Sequence, residues 1–341
     1  MLKEALKLKE VISNINNIAL TTHKNADPDA IASIVAFSEL ARKLSPQISI
    51  EIMLPEGLSA LSKKLLQTFN IDLKLKKEFT SDIIVIVDTS SSYQLGSLRD
   101  SVLKKKIILI DHHSAGDLAT QAFLSIINSK ISSTSEIIYK IARLLGIDFD
   151  VSTLNIILAG IVYDTRHFIL ANPETLMNAA EIMMMGADYR KVLDSMHISP
   201  SISEKIAKIK AAMRINAYRL KDFIIVLTRI GAFESSIARM LIDIGADVAL
   251  VVCTRKHETR LIARASQSFR EVTGIHLGKD ILEPLKNYFP RGSGGGHDLA
   301  GGFTGVVDPD LLISTALKLL MDKLIEKGII SPSDIEKITL D

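Results

Sequence analysis

The chain has 341 residues, of which 47% are hydrophobic and 23% are charged, and its formal net charge is +2. This length predicts about two domains, each with enough apolar residues for its own core. The small net charge excludes a strongly basic protein of the kind that coats duplex nucleic acid. The single cysteine, Cys253, cannot form an intrachain disulfide, so we expect it to be a buried core residue.

Two features of the sequence bear on its location in the cell. It has no apolar run approaching the roughly 20 residues that a membrane-spanning helix needs. Residues 1–11 alternate Lys and Glu with Leu, as an amphipathic helix does, and lack the apolar stretch of a signal peptide. We therefore expect a cytoplasmic protein with no membrane partner.

The first part of the chain alternates predicted helices and strands. We predict helices at residues 3–15, 29–44, 59–69 and 133–145, and strands at residues 18–22, 48–54, 83–87, 107–110 and 123–127. Such an alternation of helices with short aliphatic strands is typical of a parallel sheet covered on both faces. Further helices are predicted at residues 151–163, 173–185 and 201–220.

A second α/β pattern begins at Asp222. We predict its strands at residues 223–227, 248–253 and 260–265, and its helices at residues 235–244, 279–288 and 310–327, with a glycine-rich loop at residues 291–302. The fold class is therefore α/β, with an amino-terminal parallel-sheet domain at residues 1–190 and a smaller carboxyl-terminal α/β domain at residues 221–341. A helical connector at residues 191–220 is expected to join them.

Metal-competent side chains follow several predicted elements. In open α/β sheets, ligands bind at the carboxyl ends of the strands, where most of these side chains fall. A structural role is also available to Asp29, which stands where a residue capping a helix would stand. The candidates are His23, Asp27 and Asp29 after the first strand, Asp88 after the third, Asp111, His112 and His113 after the fourth, and Asp164 at the end of an apolar helix.

The residue types in this set indicate which ion they would bind. Carboxylates with few imidazoles and no thiolate suit Mn²⁺ or Mg²⁺ better than Zn²⁺. There are more candidate ligands than one ion needs, which implies two ions. Two ions about 3.5–4 Å apart are the usual apparatus for in-line attack on a phosphoryl centre. The sequence therefore predicts two divalent ions, with Mn²⁺ preferred.

Taken in order, these motifs resemble those of the DHH phosphoesterase family with its DHH-associated carboxyl-terminal domain, in the branch of RecJ-like exonucleases and nanoRNases. His23-x3-Asp27-x-Asp29 resembles the first motif, Asp88 the second, Asp111-His112-His113 the third, and Asp164 with Thr165 the fourth. In the second domain, Gly294 to His297 together with Ala300 to Gly302 resembles the motif of the associated domain.

The resemblance implies a role for each of these residues. His23, Asp27 and Asp88 would hold one ion, and Asp29, Asp88, His112 and Asp164 would hold the other, so that Asp88 bridges them. Asp111 would orient an imidazole, and His113 would face the substrate phosphate. The second domain would bind the substrate through Arg264, Ser266, Gly294, Gly295, Gly296 and His297.

The activity that this resemblance favours is a two-metal, Mn²⁺-dependent phosphodiesterase that cuts short single-stranded RNA or DNA to 5′-mononucleotides. One alternative is an enzyme acting on 3′-phosphoadenosine 5′-phosphate or a cyclic dinucleotide. Another is a non-catalytic scaffold associated with replication, which would be expected to have lost metal ligands that are all present here. The digestion polarity, the choice between RNA and DNA, and a homodimeric state are left open.

Overall fold

The structure, a computed structural model, describes residues 1–197, 199–256 and 258–339. The chain divides into two compact units, Met1–Ile198 and Ser199–Asp341. Each unit has its own sheet and its own apolar core on both sheet faces. Among the described residues, no helix is both long enough and apolar enough to cross a membrane.

The first unit is built on a five-stranded parallel sheet with the strand order β2-β1-β3-β4-β5. Alternate residues of the third strand enter two cores, since Val85 and Val87 belong to one cluster and Ile84 and Ile86 to another on the opposite face. Burial on both faces explains why these strands are uninterrupted aliphatic runs. The strands are β1 (Asn17–Thr21), β2 (Ser49–Ile52), β3 (Ile83–Val87), β4 (Lys106–Asp111) and β5 (Leu124–Ile127).

Eight α-helices are described in this unit, and two of them are largely apolar. The second and sixth helices are buried on most sides, which fits their sequences, because a helix that is hydrophobic all round belongs in a core. The helices are α1 (Leu2–Ser13), α2 (Pro28–Leu44), α3 (Ala60–Thr68), α4 (Arg99–Val102), α5 (Thr134–Leu144), α6 (Val151–Asp164), α7 (Pro173–Met184) and α8 (Tyr189–Met196).

The second unit contains a seven-stranded mixed sheet with the order β10-β11-β9-β8-β7-β6-β12. Its strands are β6 (Asn216–Leu220), β7 (Phe223–Ile230), β8 (Val248–Arg255), β9 (Glu258–Ala265), β10 (Ser293–Gly296), β11 (Ala300–Gly305) and β12 (Ile335–Ile338). Its helices are α9 (Ile202–Ala212), α10 (Glu234–Asp243), α11 (Gln267–Thr273), α12 (Leu285–Tyr288) and α13 (Pro309–Glu326), with a π-helix at Leu277–Leu282. The β7–β8 pair is parallel, whereas the other neighbours described in this sheet are antiparallel.

The structure corrects three of the predicted elements. The helix predicted at residues 201–220 ends at Ala212, and Asn216–Leu220 forms a strand that pairs with β7 across a two-residue turn, with Lys221 at φ 58°. The helix predicted at residues 279–288 is instead a π-helix and a short α-helix. The glycine-rich segment predicted to be a loop forms the antiparallel strands β10 and β11. The connector predicted at residues 191–220 is therefore not wholly helical.

Candidate metal centre

One edge of the first sheet gathers the polar side chains that follow β1, β3 and β4. His23 comes two residues after β1, Asp88 follows β3 directly, and Asp111 is the last residue of β4. Asp27 caps the start of α2 by accepting hydrogen bonds from the backbone N–H groups of residues 29 and 30, both at 3.1 Å. The sequence had suggested Asp29 for that capping role. Asp164 is the last residue of α6 and reaches the same edge.

The ligand atoms form three overlapping groups, within each of which all atoms lie within 4.8 Å of one another. Asp88 belongs to every group and is buried, with 3% of its side chain exposed. Its two carboxylate oxygens point to different imidazoles, because Oδ2 lies 3.5 Å from His23 Nε2 and Oδ1 lies 3.7 Å from His112 Nε2. The groups are His23, Asp27 and Asp88; Asp29, Asp88, His112 and Asp164; and Asp88, His112 and His113.

The Nε2 atoms of His23 and His112 both point at carboxylates of the centre. His23 Nδ1 lies 2.8 Å from the Lys24 carbonyl oxygen, and donating there leaves Nε2 directed at the carboxylates. His112 Nε2 is buried 3.1 Å from Asp164 Oδ2, yet it makes no hydrogen bond within the described parts of the chain. Such convergence suits ligands that share an ion between them, and the mixture of oxygens and imidazoles suits a divalent cation.

The charges in the centre also fit divalent cations. Burial raises the pKa of Asp29 well above its usual range, and the charges of Asp164 and Asp88 raise it further. Burial is likewise the main reason that the pKa of Asp88 rises to about 6. Buried carboxylates in such a group are costly to ionise unless positive charge is placed among them. A bound divalent ion supplies that charge.

The same carboxylates also change the protonation of the His23 imidazole. Burial lowers the pKa of His23, but the carboxylates of Asp27 and Asp88 outweigh burial and raise it to about 10. A proton on His23 thus stabilises the carboxylates when no metal is bound. Because a metal ligand must be a neutral imidazole, metal binding is expected to release this proton.

The start of α5 supports the ligands, and sequence reasoning missed it. The Asp29 carboxylate accepts hydrogen bonds from the backbone N–H groups of Thr134, at 2.7 Å, and Ser135, at 3.1 Å. The Thr134 hydroxyl donates to Asp88 Oδ1 at 3.0 Å and accepts from the His112 backbone N–H at 3.3 Å. The sequence showed only a capping motif here, which gave no indication of these contacts.

A second supporting set holds His113. Asp111 is fully buried and accepts a hydrogen bond from the Ser90 hydroxyl, a contact that sequence reasoning also missed. Asp111 Oδ1 lies 2.8 Å from His113 Nδ1, and this hydrogen bond is the main reason that the pKa of His113 rises to about 9. The His113 side chain is 58% exposed and lines a cavity of about 390 Å³ together with His23, Asp27, Asp88 and Asp164.

Within the second unit, Arg264 and His297 belong to neighbouring backbone segments. Arg264 of β9 pairs in register with Ala300 of β11, whose carbonyl oxygen accepts from the His297 backbone N–H at 2.8 Å. Ser266 caps α11 by accepting from the Phe269 backbone N–H at 3.1 Å. Its hydroxyl also donates to Asp247 at 3.3 Å and lies 3.0 Å from the Ser268 hydroxyl, so structural contacts already occupy it.

The three glycines named from the sequence differ in their surroundings. A Cβ at Gly294 would lie 2.5 Å from the Leu282 carbonyl oxygen, and one at Gly296 would lie 2.4 Å from Gly301 Cα. These two glycines are therefore needed for close packing within the unit. A Cβ at Gly295 would meet nothing nearer than the Glu283 carboxylate, at 3.9 Å. Gly295 is thus the glycine with room beside it.

Carboxylates and imidazoles clustered at the carboxyl edge of a parallel sheet form a site suited to divalent cations. The sequence profile of the DHH family, N-terminal domain, matches residues 17–163. An uncharacterized protein of Methanocaldococcus jannaschii is 32% identical over 332 residues, which cover 96% of this chain and 97% of that protein. The chain belongs to the DHH family, carries the DHH-associated carboxyl-terminal domain, and is therefore a metal-dependent phosphoesterase.

Two further comparisons concern a named activity and a solved fold. A probable bifunctional oligoribonuclease and PAP phosphatase of Streptococcus mutans is 27% identical over 202 residues, covering 59% of this chain and 62% of that protein. The crystal structure of an exopolyphosphatase-related protein from Bacteroides fragilis has a TM-score of 0.64 and 18% identity, covering 96% of this chain and 98% of that one. At that identity, the likeness concerns the fold alone.

Proposed function

We propose that this protein is a two-metal, Mn²⁺-dependent phosphodiesterase that removes nucleotides from the end of short single-stranded RNA or DNA and releases 5′-mononucleotides. The observation that carries the proposal is the position of Asp88, whose two oxygens face separate groups of ligands. A carboxylate shared between two ligand groups would hold two ions close together, which is what two-metal phosphoryl chemistry uses. The name of the Streptococcus mutans relative supports the choice of a short RNA substrate.

The ligand groups suggest how the ions are divided. We assign His23, Asp27 and Asp88 to one ion, and Asp88 with Asp29, His112 and Asp164 to the other. Cations held by these residues would supply positive charge for the phosphate oxygens and an activated water for in-line attack. The chain fixes the ligands in advance, because Thr134 holds Asp88 and the start of α5 holds Asp29.

His113 is proposed to act on the substrate directly. Its Nδ1 is engaged by Asp111, so its Nε2 is the nitrogen left to meet a phosphate oxygen. The hydrogen bond to Asp111 raises the pKa of His113 and so favours the protonated ring. A protonated imidazole beside the scissile phosphate stabilises negative charge there and can donate a proton to the leaving oxygen.

The second unit is proposed to bind the part of the oligonucleotide that lies away from the scissile phosphate. Arg264 supplies a guanidinium that can pair with a phosphate in two parallel hydrogen bonds. His297 is exposed, and Gly295 has open space beside its Cα, so a nucleotide backbone can approach this segment closely. This assignment makes residues 1–190 the catalytic domain and residues 221–341 the substrate-binding domain.

A second candidate activity uses the same metal centre. The Streptococcus mutans relative is also named as a phosphatase of 3′-phosphoadenosine 5′-phosphate. That substrate offers a terminal phosphate monoester in place of an internal diester. The two activities therefore differ in the substrate and not in the ligands proposed for the ions.

One experiment separates these candidates. End-labelled RNA and DNA of 2 to 24 nucleotides are incubated with the protein and Mn²⁺, alongside 3′-phosphoadenosine 5′-phosphate, with the Asp88→Asn variant as the control. We expect the shortest oligonucleotides to yield mononucleotides fastest and the variant to be inactive. Faster hydrolysis of the small nucleotide than of every oligonucleotide would favour the phosphatase. Failure to cleave any of these substrates would contradict both candidates.

A further inference from the structure

The cavity beside the proposed ligands has a second wall of a different chemical character. This wall follows β3 and β4 and is formed by Thr89, Ser90, Ser91, Gln94, Ser114 and Gly116. Among the residues that line the cavity, none is a lysine or an arginine. One part of the lining can therefore carry divalent cations, whereas the part that follows β3 and β4 offers only neutral hydrogen-bonding groups.

Three side chains of the neutral wall are free to bind a ligand. The Ser90 hydroxyl donates to Asp111, and the Thr89 hydroxyl accepts from the Ser91 backbone N–H at 3.3 Å. In contrast, the side chains of Ser91, Gln94 and Ser114 make no hydrogen bond to any residue that the structure describes. Each can both donate and accept a hydrogen bond.

The backbone of this wall is held firmly. The Gln94 carbonyl oxygen accepts from the Lys24 backbone N–H at 2.7 Å, beside the proposed ligand His23, and the Gln94 N–H donates to the Ser91 carbonyl oxygen at 3.1 Å. Both bonds use the main chain of Gln94, so its side-chain amide stays available. A Cβ at Gly116 would lie 2.4 Å from the Ser90 carbonyl oxygen, so the close approach of these two loops requires glycine.

The chemistry of the wall restricts what can lie next to the scissile phosphate. A second phosphate placed there would lose water without gaining a further cation, because His113 is assigned to the scissile phosphate, and this loss is unfavourable for a charged group. The hydroxyl groups of a sugar match neutral groups that both donate and accept, because each hydroxyl does the same. The wall thus favours a nucleoside over a further phosphate group.

We propose that Ser91, Gln94 and Ser114 form a sugar-binding subsite that makes this centre selective for nucleotide esters over condensed phosphates such as pyrophosphate. The inference rests on the proposed function, since it concerns the substrate of the same metal centre. Gln94 is its main specificity-determining residue, because its amide provides two donor hydrogens and one acceptor oxygen on a fixed backbone.

The test compares selectivity between substrates that do and do not carry a sugar. The values of kcat/KM for a diribonucleotide, for bis-p-nitrophenyl phosphate and for pyrophosphate are measured with Mn²⁺ for the wild type, Ser91→Ala and Gln94→Leu. Gln67→Ala is the matched control, because Gln67 is an exposed glutamine on α3 that does not line this cavity. Circular dichroism confirms that each variant is folded.

We expect the ratio of kcat/KM for the diribonucleotide to that for bis-p-nitrophenyl phosphate to fall by about threefold to tenfold in Gln94→Leu, the worth of one or two neutral hydrogen bonds. Ser91→Ala should lower it in the same direction, and Gln67→Ala should not change it. An unchanged ratio in Gln94→Leu, in a wild type that cleaves the diribonucleotide, would overturn the subsite and leave the proposed function standing. A wild type that cleaves pyrophosphate but not the diribonucleotide would overturn both.

Discussion

Asp88 combines two features that each cost free energy in a folded protein. Its backbone has a φ of 62°, in the left-handed region, and its carboxylate is buried among other carboxylates. Strained backbone of this kind persists where the surrounding structure imposes it, and it is concentrated at functional sites. At Asp88 this backbone conformation coincides with a side chain that reaches both ligand groups.

Replacing Asp88 with Asn tests whether this carboxylate serves both ions. Asn tolerates the left-handed backbone and has nearly the same shape, so the variant should fold. We expect kcat to fall below about a tenth of the wild-type value, a loss of at least about 1.4 kcal/mol of transition-state stabilisation. Metal content by elemental analysis should fall as well. Retention of both the turnover and two ions per chain would rule out the bridging role.

His113 is expected to act on the reaction without being needed for metal retention. His113→Ala should lower kcat by about 10² to 10⁴, the usual worth of general acid or electrostatic assistance. Metal content should stay near that of the wild type, because the other two groups of ligands are intact without it. Loss of an ion from this variant, measured by elemental analysis, would mean that the roles of His112 and His113 are misassigned.

The packing of α6 against α2 and α5 depends on a single glycine beside the metal centre. A Cβ at Gly160 would lie 2.4 Å from Ser135 Oγ and 2.6 Å from Asp29 Oδ1. These are the atoms through which the start of α5 holds the Asp29 carboxylate. A side chain at this position would therefore disturb both the helix packing and a proposed ligand.

Gly160→Ala should destabilise the protein by about 1–3 kcal/mol, the cost of overpacking a core, despite the better helix propensity of alanine. Urea unfolding followed by circular dichroism measures this change. Gly231→Ala is a suitable control, because a Cβ there would meet nothing within 4 Å. It should change stability by less than about 0.5 kcal/mol. Equal stability of the two variants would show that the contacts around Gly160 relax without cost.

Elements with a clear local pattern could be predicted from the sequence. The strand Ile83–Val87 and the helix Val151–Asp164 lie where their aliphatic runs and helical spacing indicate. The strand Asn216–Leu220 was missed, because its pairing with β7 is a tertiary contact and its side chains also suit a helix. The strand Ser293–Gly296 was missed because glycine has low strand propensity. Its glycines are required by packing against neighbouring backbone, which local propensity cannot reveal.

The proposed ligands could be named from the sequence because they follow strands that end at one edge of a sheet. The residues that hold these ligands in place could not be named from the sequence. Thr134 and Ser90 make their contacts across 46 and 21 residues of chain, and neither residue type indicates a metal centre. Supporting residues of this kind emerge only when the strands and the start of α5 are placed in space.

The two units should contribute differently to substrates of different size. Binding energy from parts of a substrate remote from the reacting phosphate can help to position that phosphate. We therefore expect Arg264→Ala and His297→Ala to lower the ratio of kcat/KM for a 5-mer to that for bis-p-nitrophenyl phosphate by at least about tenfold, or 1.4 kcal/mol. Arg219→Ala, at an exposed arginine in β6 of the same sheet, is the control and should leave the ratio unchanged. Equal losses on both substrates would show that the second unit takes part in the chemical step.

The proposed chemistry depends on two ions sharing Asp88, and anomalous diffraction from a crystal grown with Mn²⁺ observes this directly. At the manganese absorption edge we expect two peaks about 3.5–4 Å apart, the separation usual for two-metal centres. One peak should lie among His23, Asp27 and Asp88, and the other among Asp29, Asp88, His112 and Asp164. A single peak, or two peaks that do not both contact Asp88, would contradict the two-metal centre proposed for this protein.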